Sequence, residues 1–151
     1  MSQRICARLI SAIGGVSLTL NPLTDADLVG QPMPVEVLAI PKLVNLDISG
    51  MRMGALPDNI DQLNMLQTLV VSGNKLNELP SSLANIATLK RVVARNNNLT
   101  SIPEGMENLT ELKTIDVKGN PFDEGAKVRT IRRFGEDCLL YTSDAADDRV
   151  S

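Results

Sequence analysis

Five cations cluster in the sequence, and four of them recur at matched spacing. Lys90, Arg91 and Arg95 are followed 23 residues later by Lys113 at the position of Lys90 and Lys118 at that of Arg95. Ammonium and guanidinium groups bind carboxylates, and arginine does so through two parallel hydrogen bonds. Val70 and Val93, also 23 apart, supply apolar surface beside them. Covalent chemistry has less to work with. The 151 residues contain no histidine, which removes the usual general base, Ser-His-Asp catalysis and the commonest metal ligand. Ser49 and Ser72 therefore lack a base. Cys6 and Cys138, the two cysteines, stand near opposite ends without paired spacing. No phosphate loop or metal cluster is visible, so no enzyme, cofactor or metal is expected.

The elements that must position these side chains follow from the same period. Leu43, Leu66, Leu89 and Leu112 each open one pattern. Apolar residues stand at offsets 4 and 6, Asn74, Asn97 and Asn120 at offset 9, and Leu-Pro or Ile-Pro at Pro57, Pro80 and Pro103. A fixed period with apolar residues at fixed offsets predicts a solenoid. Alternation at offsets 4 and 6 predicts short parallel strands over residues 46–48, 69–71, 92–94 and 115–117. Asparagine at offset 9 turns the chain and satisfies backbone groups; Met51 replaces it in the second copy, where the ladder is expected to be weakest. Proline suits the first turn of the convex limb. The fold class is an α/β solenoid, a horseshoe arc with a short parallel sheet inside and helical or 3-10 limbs outside. Low aromatic content, 2%, suits its narrow interior.

The pattern extends upstream. Ile13, Val16, Leu18, Asn21 and Leu23 match offsets 1, 4, 6, 9 and 11, with a seven-residue loop insertion before Met33. Residues 13–122 thus form five repeats. Residues 1–12 are an N-terminal cap, with Ile5 and Leu9 on one face of a helix. Arg4 and Arg8 before an apolar run also allow a targeting signal, but that would sacrifice the first strand. Downstream, residues 123–137 are a C-terminal capping helix. Val128, Ile131 and Phe134 lie on its apolar face, acids at its start, and Arg132 and Arg133 near its end.

Residues 138–151 break the pattern. Cys138 to Asp148 resembles a translated sequencing-library adapter, which implies a non-native tail and a native sequence ending near Asp137. The repeats themselves resemble the intracellular leucine-rich repeats of Ras-suppressor and plant Ras-group-related proteins. The resemblance implies a protein-binding module that works in signalling through its concave sheet.

The solvent-facing offsets define the candidate site: Asp47, Thr68, Val70, Ser72, Lys90, Arg91, Val93, Arg95, Lys113, Asp116 and Lys118. Asp47 and Asp116 have two strands between them, roughly 14 Å, too far for a paired-carboxylate site. The convex limbs carry Asp58, Asp61, Glu78, Glu104, Glu107 and Glu111 instead. A basic, partly apolar concave face predicts an acidic protein partner. RNA binding is disfavoured because no aromatic residue is placed to stack on bases. The expectation is a cytoplasmic scaffold or signalling adaptor, monomeric and without a membrane span. The alternative is the recognition part of a larger kinase, GTPase or ubiquitin ligase.

Overall fold

The computed structural model describes residues 10–12, 15–20, 29–30, 33, 35–40, 42–134 and 139–140. One sheet runs through it in chain order. Its strands are β1 (Ile10–Ala12), β2 (Gly15–Thr19), β3 (Leu43–Asp47), β4 (Thr68–Val70), β5 (Arg91–Val93), β6 (Thr114–Asp116) and β7 (Leu139–Leu140). Every pairing from β2 to β7 is parallel, and only β1 lies antiparallel on β2. Parallel neighbours require a crossover between them. From β2 to β6 each crossover is one convex limb: α1 (Val35–Leu38) in the first copy, then 3-10 turns at Ile60–Gln62, Ser81–Asn85 and Met106–Asn108; the helix Glu124–Phe134 lies between β6 and β7.

Leucine at the repeat offsets produces this shape because each coil has one inward row. Leu46, Leu69, Val92 and Ile115 line up across the sheet, and all are buried. Ile60, Leu83 and Met106 face them from the limbs, each fully buried. Truncating such a side chain to alanine, as in Leu69→Ala, costs about 3 kcal/mol. The offset-6 residues Ile48, Val71 and Ala94 lie one step past the strands. They still donate to the next coil, at Val70 O, Val93 O and Asp116 O, at 2.8 to 2.9 Å.

The first copy is set two residues later than its sequence suggests. Leu18 pairs with Leu46 and Ser17 with Asn45, with an irregularity between Val16 and Ser17. Leu18 and Leu20, rather than Val16 and Leu18, therefore occupy offsets 4 and 6, and both are buried. Asn45 Nδ2 donates to Ser17 Oγ at 2.9 Å across 28 residues, against the 23 of the later coils. A slip of two keeps the same side chains inward, so the alternation Val16-Leu18-Leu20 cannot distinguish the two registers. Ile13, Asn21 and Leu23 lie outside the described residues.

Both ends differ from expectation in part. The proposed N-terminal helix through Ile5 and Leu9 lies outside the described residues, and Ile10–Ala12 is already a strand that covers the edge of β2. At the other end α2 (Glu124–Phe134) closes the arc. Asp123 caps it: its Oδ1 accepts the Ala126 N–H at 2.7 Å. The inward face is Ala126 and Thr130, 5% and 3% exposed, whereas Val128 is 46% exposed. Of the expected Val128-Ile131-Phe134 face, Val128 thus points outward, while Ile131 and Phe134 are half-buried. Small side chains at 126 and 130 let the helix approach the last coil, and Phe134 packs at the margin. Within residues 138–151, Leu139 and Leu140 pair with Ile115 and Asp116; the rest of that segment lies outside the described residues.

Candidate functional site

The parallel register converts sequence spacing into neighbouring columns. Asn45, Thr68, Arg91 and Thr114 form one, and Asp47, Val70, Val93 and Asp116 the next. Lys90 and Lys113 occupy successive coils at the strand entry, where Lys113 N–H donates to Lys90 O at 2.8 Å. At the strand exit Arg95 N–H donates to Ser72 Oγ at 3.1 Å, and Asn96 N–H to Lys118 O at 2.8 Å. The fold therefore brings the candidate residues of β4, β5 and β6 onto one face, with Asp47 a strand further away.

Their exposure divides them. Lys90, Arg91 and Lys113 are exposed, and among the described residues no carboxylate pairs with them. Thr68, Val70, Ser72 and Lys118 are half-buried. Asp47 is half-buried and its Oδ1 accepts the Ser49 N–H at 3.0 Å.

Two expected surface positions are buried instead. Asp116 is 1% exposed and Val93 8%. Asp116 Oδ2 lies 2.7 Å from Arg95 Nε and 2.6 Å from Arg95 Nη2, and its Oδ1 accepts the Lys118 N–H. Strand alternation does point offset 5 away from the core. However, arginine at offset 7 of the preceding coil is long enough to fold back over the acid. Val93 sits between Val70 and Asp116 in the same column, so its flanks are taken. The basic field is consequently three unpaired cations at the strand entry and a neutralised pair at the exit. The available signal was an acid 21 residues after an arginine, a diagonal neighbour that column alignment at 23 does not show.

The acids of the repeats other than Asp47 and Asp116 keep to the outer limb. Asp58, Glu78, Glu104 and Glu111 are exposed, Asp61 accepts from Asn85 Nδ2 at 3.1 Å, and Glu107 is tied to Arg133. Two crevices lie on that side. One, of about 440 Å³, runs between the fourth limb and α2 and is lined by Glu104, Glu107, Arg129 and Arg133. The other, about 270 Å³, follows the Leu-Pro corner beside Asp58 and Glu78. Neither reaches the cationic sheet. Among the described residues no three potential metal ligands converge, and no helix is long and apolar enough to cross a membrane.

Comparison with known proteins agrees with this architecture. Residues 35–130 match the model of a leucine-rich repeat region. A solved leucine-rich repeat protein of Leptospira interrogans superposes with a TM-score of 0.69 at 34% identity, covering 72% of this chain. The chain spans 28% of that protein's length. No match was found among curated protein sequences.

Proposed function

Because the chain belongs to the leucine-rich repeat family, we propose that it is a non-enzymatic protein–protein interaction module that takes an acidic partner on its concave sheet. The observation that carries this reading is the unpaired trio Lys90, Arg91 and Lys113, exposed on one face beside Val70. The exposed acids Asp58, Glu78, Glu104 and Glu111 stand on the opposite limb. Segregated charge of this kind steers encounter and sets orientation, and the half-buried valine and threonines add contact area. A scaffold or signalling adaptor of the cytoplasm fits a chain whose two cysteines stand far apart in sequence.

The test is Arg91→Glu combined with Lys113→Glu, compared with wild type in affinity capture at about 0.1 M and about 0.5 M salt. Wild-type capture should fall with salt, and the double reversal should abolish the low-salt component. Equal capture by the two proteins at both salt concentrations overturns the concave site.

A further inference from the structure

We propose that the partner's carboxylates engage the strand-entry cluster Lys90–Arg91–Lys113, and that Asp116 acts as a built-in competitor that withholds Arg95 from that contact. This rests on the acidic-partner reading and assigns roles within the same face.

Arg95 is 46% exposed at its side chain, so position alone would make it part of the binding surface. Its fork is already occupied. Nε and Nη2 both reach Asp116 Oδ2, within 2.7 Å, and the acid beneath is buried. A partner carboxylate that took the Nε–Nη2 edge of Arg95 would have to displace Asp116, leaving a carboxylate 1% exposed without its counter-charge; one on the outer edge would meet a guanidinium whose charge Asp116 already offsets. Removing one member of a buried pair is strongly unfavourable. Asp116 is further fixed by the Lys118 N–H on its other oxygen. Among the described residues the entry cluster has no such internal acid. Arg91 stands between Thr68 and Thr114 in register, which offers a guanidinium flanked by two hydroxyl residues. Lys90 and Lys113 hold equivalent positions in successive coils, roughly 4.8 Å apart along the sheet. Three positive charges within that span suit clustered carboxylates, as in a run of Glu or Asp.

The probe is fluorescein-labelled hexaglutamate, titrated by anisotropy into the full chain. Arg91→Gln should weaken binding about fivefold. Asp116→Asn keeps an acceptor for the Lys118 N–H and frees Arg95, so it should tighten binding about fivefold. The double variant Arg95→Gln with Asp116→Asn leaves the net charge unchanged and should bind as wild type does. The proposal is overturned if the double variant loses as much as Arg91→Gln, because Arg95 would then contact the probe despite Asp116. It is also overturned if folded Asp116→Asn binds no tighter than wild type. Should Asp116→Asn alone fail to fold, the comparison of Arg91→Gln with the double variant decides the point; should the double variant fail as well, Arg95→Lys replaces it. Arg95→Lys keeps the cation but not the fork on Asp116, so tighter binding than wild type supports the proposal and unchanged or weaker binding overturns it. Absence of hexaglutamate binding to wild type at low salt would overturn the acidic-partner reading itself. Binding that responds to Arg91 but not to Asp116 overturns the proposal and leaves the acidic-partner reading standing.

Discussion

Asn120 Oδ1 accepts the backbone N–H of Asn97 at 3.1 Å, so one asparagine of the ladder carries the next. The same oxygen takes the Leu99 N–H at 3.0 Å, and the Asn120 amide donates back to Ala94 O and Val117 O, each at 2.8 Å. Asn97 repeats the arrangement one coil earlier, with Leu76 N–H, Val71 O and Ala94 O as partners. Each amide thus closes its own turn and fastens the preceding coil. Asn97 is 5% exposed, so its partners have no water to fall back on. Asn97→Ala should destabilise the chain by on the order of 3 kcal/mol in urea unfolding. The half-buried Asn120→Ala should cost less, because water reaches its partners.

The period of 23 made the inward rows, the asparagine ladder and the Leu-Pro corners legible, because each is a residue type required at a fixed place in every coil. Three things escaped it. The register of β2 escaped because Val16, Leu18 and Leu20 satisfy two alignments equally well. The burial of Asp116 escaped because it depends on how far Arg95 can reach. The face of α2 escaped because close packing selected Ala126 and Thr130 over the more apolar Val128. A fourth feature was present in the spacing: Gly50, Gly73 and Gly119 share one offset with Asn96. All four have positive φ, at 73, 69, 77 and 57°. Glycine and asparagine are the residues that adopt this conformation readily.

That offset separates two kinds of strain. A Cβ at Gly119 would collide with Asn96 Oδ1, whereas at Gly73 its nearest neighbour is Gly50 N at 3.6 Å. Gly73→Ala should therefore carry only the left-handed penalty, about 1 kcal/mol. Gly119→Ala should cost about 1 to 2 kcal/mol more. Asn96→Gly should remove that excess, so in a double-mutant cycle the double variant should cost about 1 to 2 kcal/mol less than the sum of the two single costs. Equal costs at the two glycines would disprove the collision.

The orientation of α2 is checked by charge insertion. Val128→Lys places a cation where the side chain is already 46% exposed, and should change stability by less than about 0.5 kcal/mol. Ala126→Lys buries one against the last coil and should release the helix. Amide exchange over residues 124–134 distinguishes the two, since only the second should lose protection.

The same cap has a pH response. Arg133 donates through Nε and Nη2 to Glu107 Oε1, at 3.0 and 2.5 Å, and through its Nη atoms to Ile102 O and Pro103 O. The guanidinium holds the Glu107 carboxyl below the usual glutamate value, against a smaller opposing effect of burial. A folded-state value below the unfolded one means that the pair stabilises fully above about pH 4.3. Its contribution is lost as pH falls from there through the lower folded value. Solvent reaches the pair, so the effect is small, under about 1 kcal/mol. Glu107→Gln should lower stability slightly at pH 7 and not at pH 2.5, in matched urea titrations. Protection of the α2 amides should follow the same course in wild type, falling on acidification, and be flatter in Glu107→Gln. A loss that is equally large at both pH values would mean that the glutamate acts through packing rather than charge.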